Sequence, residues 1–470
     1  MKTSRRDFIK KLALLSTGLL VGGCDTFGRE RGRGADRRVP ILVTNPAIRF
    51  HQNRCRGRCD RCLDYCRNAT GGIFDRNLPS GEEACVHCGQ CTLFCPRGAL
   101  TERFHYQEVA RAIADPQKIV VVTTAPAIRV AFGEMYGMVP GTNVEGEIVG
   151  ALRQLGVDYV FDATFCADLT VVEEASELIQ QLEIGKLPLF TSCCPAWVRY
   201  IKLFYPNYYS HISTVKSPLL MQGALIKTWF AQRKGIDPSR IVCVAIAPST
   251  AKKAEILLPG MNSAGVLHGN PQMRDVDFVI TTRELASLFN ENGVNFRQAP
   301  RGQYDSLMGT GSSSAMIFGN SGGVMTAALR TAYRMLNNER PPADFVSFHP
   351  VSGFGGVRTA VVDMGKTKLN VAIIHGISNI RSFMEREIHK YDFVEVMACP
   401  GGCIGGGGQP INHRISTTEL RRLRTNALHR HGLQQAVRLS CDNPDVQAIY
   451  AEFLGEPLGR KSKELLHVVR

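Results

Sequence analysis

"FVEVMACPGGCIGGGGQP", residues 393–410, begins as an apolar run and ends as a ramp of nearly bare backbone. Its first five residues suit a buried strand. Six of the ten residues from Gly401 to Pro410 are glycine, so something bulky can lie against the chain there. Between run and ramp stand Cys399 and Cys403, spaced C-x3-C. A strand that empties into such a loop belongs to an α/β sheet, whose chemistry gathers at the carboxyl ends of its strands.

The same texture recurs along the chain. "KIVVVTTA" (118–125), "VDYVFDA" (157–163), "LPLFTS" (187–192) and "IVCVAIA" (241–247) read as buried strands, as do "VDFVITT" (276–282) and "NVAIIHG" (370–376). Helical patterns lie between them, among them "LTVVEEASELIQQLE" (169–183) and "TRELASLFNENG" (282–293). This alternation predicts an α/β domain over 106–412 with twisted, mainly parallel sheets. Two further strand-end loops, "TSCCP" (191–195) and "APSTAKK" (247–253), join the glycine ramp as candidate functional loops. Residues 45–105 are cysteine-dense and lack long periodic runs, as a small α+β module would. From 413 to 470 the chain reads as helical, with a cap at Asn443 and Val446, Ile449, Tyr450, Phe453 and Leu454 on one face.

The 470 residues leave room for two or three domains, and 44% hydrophobic with 21% charged residues describes an ordinary folded chain. The net charge of +14 fits a solvated basic surface, an acidic redox partner or an anionic membrane face. The basic residues show neither aromatic interleaving nor a reader motif, which argues against nucleic acid. At the N-terminus, "SRRDFIK" (4–10) has the twin-arginine pattern, followed by the short apolar run "LALLSTGLLVG" (12–22). The run is too short to span a bilayer, so residues 1–24 read as an export signal. "LLVGGC" resembles a lipobox ending at Cys24, with plain cleavage near the same point as the alternative. Residues 25–44 form a Gly- and Arg-rich linker suited to an anionic lipid surface.

Sixteen cysteines are many for a chain of this size, and their C-x2-C clustering argues for metal over disulfides. "CVHCGQCTLFCP" sets Cys85, Cys88, Cys91 and Cys95 as C-x2-C-x2-C-x3-C-P, three thiolates for one cubane and a fourth for its neighbour. "CRGRCDRCLDYC" repeats the pattern, slightly stretched, with Cys55, Cys59, Cys62 and Cys66. The alternative is a zinc module, which normally uses two separated pairs. Arg54, Arg56, Arg58 and Arg61 make the first motif basic, as an electron port for an acidic partner would be. The remaining clustered cysteines are Cys193, Cys194, Cys399 and Cys403. A C-x3-C on a glycine ramp facing a distant thiol reads as a cluster cradle, and a disulfide between the loops is the alternative.

The two cysteine motifs together resemble a two-cluster bacterial ferredoxin. That likeness pairs Cys55, Cys59 and Cys62 with Cys95, and Cys85, Cys88 and Cys91 with Cys66. "TSCCPAW", "APSTAKKAE" and "EVMACPGGCIGGGGQP", in that order, resemble the three signature loops of [FeFe]-hydrogenases. "MRDVDFVITTREL" (273–285) and "IFGNSGGVMTAALR" (317–330) are similar to further stretches of that family. "LSCDNPDVQAIYAEFLGEPLGRKSKELLH" (439–467) resembles its small subunit, here fused. The likeness covers residues 45–470.

The resemblance implies a two-lobed domain holding an H-cluster, a [4Fe–4S] cubane joined through a cysteine sulfur to a di-iron unit with CO, cyanide and azadithiolate ligands. Cys194, Cys399 and Cys403 would ligate the cubane, Cys403 bridging to the di-iron unit. Cys193 would face the open iron and shuttle a proton through Glu174, Ser213 and Glu177. Lys252 would donate to a cyanide, Ala125 and Pro126 would line the di-iron pocket, and Met397 would sit by the bridging carbonyl. The chain departs from the family at its second loop, where Met-Pro-Cys is replaced by Ala247, Pro248 and Ser249. Ala127, Leu219 and Cys166 replace the usual serine, glutamine and glycine. Cys243 lies too far back on its strand to replace the missing thiol, and Cys166 and Cys441 read as buried structural thiols.

The expectation is therefore an exported, periplasmic, lipid-anchored iron hydrogenase of the ferredoxin or cytochrome type. It would interconvert H2 with protons and electrons and relay the electrons through two [4Fe–4S] clusters. A c-type cytochrome, a ferredoxin or a membrane redox subunit would be its partner. The rivals are an H2 sensor or redox relay with an altered cluster, and an iron–sulfur carrier or assembly protein. An intact proton relay favours the enzyme, and Ser249 favours the rivals.

Overall fold

Val121 packs with Cys243 and Ala245 on one face of a sheet, while Val120 and Val122 pack with Val244 and Ile246 on the other. Burial on both faces is why these strands read as unbroken apolar runs. The computed structural model describes residues 38–469 apart from 58, 76–77, 79–82, 353–354 and 413. The twin-arginine segment, Cys24, linker residues 25–37 and Arg58 lie outside the described residues.

The strands run in chain order as β1 (Ile48–Phe50), β2 (Leu100–Glu102), β3 (Ile119–Thr124), β4 (Tyr159–Asp162), β5 (Leu189–Phe190) and β6 (Ile241–Ala247). They continue as β7 (Phe278–Thr281), β8 (His349–Pro350), β9 (Val357–Asp363), β10 (Lys368–His375) and β11 (Phe393–Met397). One sheet is four-stranded and parallel in the order β4-β3-β6-β7. The second has the order β5-β11-β10-β9-β8, parallel across its first three strands and antiparallel at its far edge. The fold is thus mixed α/β with two mainly parallel sheets.

Two strands are shorter than their apolar runs. The run at 157–163 stops at Asp162, whose carboxylate accepts from the Thr164 amide at 3.0 Å and caps helix α1 (Ala163–Ile184). Gly185, at φ 69°, ends that helix in the left-handed conformation. The run at 187–192 keeps only Leu189 and Phe190 in the ladder, and the following residues turn into the site. Strands β8 and β9 are an addition. They form an edge with several exposed side chains, so apolar continuity does not reveal them.

The N-terminal module pairs β1 with β2 antiparallel and adds helices Arg61–Thr70 and Gln90–Phe94. It is seated by Arg283, which donates to Glu102 on β2, to Thr92 and to the Gln409 carbonyl. The C-terminal segment carries helices Thr417–Leu433 and Pro444–Ile449, the latter capped by Asn443. Val446, Ile449, Tyr450 and Leu454 enter the core beneath the four-stranded sheet, and Phe453 packs against it. Cys166 and Cys243 are buried in that core, whereas Cys441 is only half-buried, because it stands in a surface turn beside the Arg340–Asp442 ion pair. No helix among the described residues is long and apolar enough to cross a membrane.

Candidate functional site

Three loops leave the carboxyl ends of β5, β6 and β11 and meet. After β5, Cys194 caps helix Pro195–Phe204, and its sulfur accepts from the Ala398 amide at 3.4 Å, which ties the first loop to the third. A helix N-terminus favours a thiolate, and Pro195 costs nothing at a position with no hydrogen bond to donate. After β6, Pro248 turns the chain so that its carbonyl accepts from the Gly408 amide at 2.8 Å. A Cβ on Gly406 would stand 2.3 Å from that carbonyl oxygen, and one on Gly402 would stand 2.7 Å from the Met397 sulfur. The glycines of the ramp are therefore required by close approach.

The loops line a largely apolar pocket whose unfilled space, its opening to solvent included, is about 850 Å³. Cys194, Ser249, Cys399 and Cys403 line it, together with Cys193 and Lys252. Ala125, Pro126 and Met397 are also on its wall, with the departures Ala127, Leu219 and Ala247. Lys252 extends its ammonium to the Cys193 carbonyl at 3.1 Å and to Glu255 at 2.7 Å. Burial pushes up the thiols of Cys194, Cys399 and Cys403, the last to about 12. Thiolates form in such a place when bound metal compensates them. Among the described residues no three His, Cys, Asp or Glu side chains converge as ligands of one metal ion would. The donor set fits a larger body held at its corners, and the glycine cradle leaves room for it.

Two further cavities lie in the N-terminal module. Cys55, Cys59, Cys62 and Cys95 line the outer one, with Arg38, Arg56 and Arg97 around it. Cys66, Cys85, Cys88 and Cys91 line the inner one. Cys88 lines both the inner cavity and the three-loop cavity, and so forms part of the partition between them. The Thr250 hydroxyl donates to the His87 carbonyl at 2.7 Å across the same seam. Gln90 reaches the Gly405 carbonyl at 2.8 Å. Each cysteine set could hold a cubane, and the stacking leads from the three-loop cavity outward to a basic rim.

On the opposite side Cys193 is buried, and burial, followed by the charge of Glu174, pushes its thiol well up. Burial thus favours its neutral form over the thiolate. Glu174 and Glu177 sit three residues apart on α1, both buried. Ser213 is buried as well, and its hydroxyl accepts from the Val215 amide at 3.2 Å. The hydroxyl bonded to Glu177 is that of Thr214, at 2.9 Å, rather than that of Ser213. Successive side chains of an extended segment point to opposite faces, so the two hydroxyls cannot share one partner.

Sequence reasoning missed Glu173 as well as Thr214. Glu173, fully buried, accepts from Tyr450 at 2.5 Å, from the Leu458 amide at 2.9 Å and from Ser462, and it lies 3.1 Å from His467. Burial pushes its carboxyl up, but His467, Ser462 and Tyr450 outweigh burial and leave it below the ordinary value. The doubled glutamate in "VVEEASE" was the available signal, since a charged residue next to an inward-facing one on a buried helix needs its own partner.

Comparison with known proteins is consistent with this site. The family model described as iron-only hydrogenase large subunit, C-terminal domain, matches residues 118–407. The iron hydrogenase small subunit model matches 418–469, and a 4Fe-4S binding domain model matches 81–101. The NADP-reducing hydrogenase subunit HndD of Solidesulfovibrio fructosivorans is 42% identical over 434 residues, covering 87% of this chain and 72% of that protein. The periplasmic [Fe] hydrogenase large subunit of Nitratidesulfovibrio vulgaris is 40% identical, covering 77% of this chain and 86% of that one. The solved structure of apo [FeFe]-hydrogenase HydA1 from Chlamydomonas reinhardtii superposes with a TM-score of 0.67 at 37% identity, covering 77% of this chain and 98% of that one.

Proposed function

Because this chain belongs to the iron-only hydrogenase family, we propose that it oxidises H2 outside the cytoplasm and delivers the electrons through its N-terminal module to a redox partner. The carrying observation is the single cavity in which Cys194, Cys399, Cys403 and Ser249 stand beside Cys193 and Lys252. The H-cluster, when bound, supplies the H2-splitting iron and the first electron acceptor. Cys194, Cys399 and Cys403 would hold its cubane by thiolate, with the Ser249 hydroxyl as the fourth protein group lining the cavity. Lys252 would offer a buried cation to the di-iron unit, while Ala125, Pro126 and Met397 keep the wall apolar. Cys193 hands its proton to Glu174 and is reprotonated from the site, and Glu177 receives the proton farther along α1. Cys66, Cys85, Cys88 and Cys91 would hold one [4Fe–4S] cluster and Cys55, Cys59, Cys62 and Cys95 another, which would supply an electron route toward the basic rim. That rim suits an acidic face of a c-type cytochrome, a ferredoxin or a membrane redox subunit.

Export rests on the twin-arginine pattern and membrane attachment on Cys24 and the basic linker. The periplasmic relative supports the location. Uptake suits an exported enzyme, since protons released there add to the gradient.

Ser249 supports a second reading, a sensor or carrier without useful turnover. A serine must surrender a far less acidic proton than a cysteine to ligate iron, and it is the harder donor. We expect low but real H2 activity in the matured chain, with infrared bands from CO and cyanide. Ser249→Cys should raise both iron retention and rate. Full infrared bands with no turnover in the wild type, but turnover in Ser249→Cys, would replace the enzyme by the sensor or carrier.

A further inference from the structure

The last residues of the chain run beside the proton side of the site. Val215 and His467 form an antiparallel bridge, Lys216 N–H donates to the Leu466 carbonyl, and Val468 N–H donates to the Thr214 carbonyl, the last two both at 2.8 Å. This pairing sets His467 Nδ1 2.8 Å from the Thr214 hydroxyl, which itself lies 2.9 Å from Glu177. On the other side of the ring, Nε2 is 3.1 Å from Glu173. Glu177, Thr214, His467 and Glu173 thus form one continuous hydrogen-bonded line, joining α1 to the small-subunit-like segment.

We propose that His467 extends the proton path beyond Glu177, with the Thr214 hydroxyl as the bridge, so that the C-terminal segment carries a station of its own. The proposal rests on the hydrogenase reading above. In outward transfer the Glu177 carboxylic acid gives its proton to the Thr214 oxygen as that hydroxyl gives its own to Nδ1. One O–H bond breaks on Glu177, one N–H bond forms on His467, and Glu177 is left as a carboxylate. Before transfer the hydrogen bonds point from Glu177 to the ring, and afterwards they point from the ring to Glu177. Both arrangements satisfy every donor and acceptor. Glu173, ionised and braced by Tyr450, Ser462 and the Leu458 amide, balances the imidazolium. The neighbouring cation Lys216 is turned away into its own pair with Asp275 at 2.8 Å, so it neither competes for Glu173 nor repels the ring closely. The ring keeps slight exposure and Val469 beside it is fully exposed, so the imidazolium discharges to water at this rim.

The test uses the full chain, matured and checked by infrared for an intact cofactor, with H2/D2O exchange as the rate. Thr214→Val and His467→Gln should each slow exchange about tenfold or more, since a positioned proton carrier contributes on the order of 10²–10⁴-fold. Thr214→Ser, which keeps the hydroxyl, should restore most of the loss. The double variant should be no slower than the slower single one, because both act on one line. In the cofactor-free chain the ¹⁵N resonance of His467 Nδ1 should move in Thr214→Val and stay in Thr214→Ser. Wild-type exchange in Thr214→Val, or losses that simply add, would overturn the proposal while leaving the hydrogenase reading intact. No exchange by a wild-type chain with full infrared bands would sink the hydrogenase reading and the path with it.

Discussion

Gly407 and Cys88 meet backbone to backbone: a Cβ on Gly407 would lie 2.2 Å from the Cys88 carbonyl oxygen. The glycine ramp of one domain is thus pressed against the cysteine motif of another, at the partition between the inner and three-loop cavities.

Gly407→Ala forces that contact apart. Overpacking of this kind costs about 1–3 kcal/mol, so the cofactor-free chain should unfold at correspondingly lower denaturant. H2 oxidation with an external electron acceptor should fall more than H2/D2O exchange, because only the former needs electrons to leave through the seam. Equal losses in both assays would remove the seam from the electron route.

The paired cysteines of the first loop should separate cleanly. Cys193→Ala takes away a proton carrier and no ligand, so iron content and infrared bands should stay while turnover drops by roughly 10²-fold or more. Cys194→Ala removes a cubane ligand and should lose iron from the three-loop cavity. Equal iron loss in the two variants would refute this division.

Glu395 gives a pH signature. Its carboxylate accepts from the Gly322 and Met325 amides, yet burial raises its pKa from 4.5 to about 7. The folded chain therefore binds this proton more readily than the unfolded chain between those values, and stability falls as pH rises through the window, then levels off. The full effect is roughly 3 kcal/mol at about 1.4 kcal/mol per unit. His87, His105 and His375, depressed first of all by burial to about 4, 3 and 4, give the opposite slope from those values up to 6.5, across much of the same window. The comparison of wild type with Glu395→Gln isolates the glutamate: the stability of the wild type relative to the variant, read from denaturant midpoints, should fall between pH 4.5 and about 7.

Export is checked in cells. Replacing Arg5 and Arg6 by lysine should strand the chain in the cytoplasm, and Cys24→Ser should release it from the membrane fraction. Retention of the Cys24 variant on membranes would make the basic linker the anchor.

The parallel strands were legible because both faces are buried, and the crossed cysteine groupings because the two motifs resemble a two-cluster ferredoxin, whose sets line the outer and inner cavities. The edge strands β8 and β9 were not, since an exposed edge carries no apolar period. Thr214 and His467 are 253 residues apart and Glu173 and His467 are 294 apart. No local pattern announces a partner at that distance. Ser213 and Thr214 look alike in sequence, and only the backbone, which turns the Thr214 hydroxyl to Glu177, tells them apart.

Cys88, standing on the partition, gives two cavities one wall in common. Neither compartment can therefore be altered at that residue without the other. Cys88→Ser should lower iron binding in the inner cavity and also disturb the fit of whatever fills the three-loop cavity, and a loss confined to one side would show that the shared wall does not couple them.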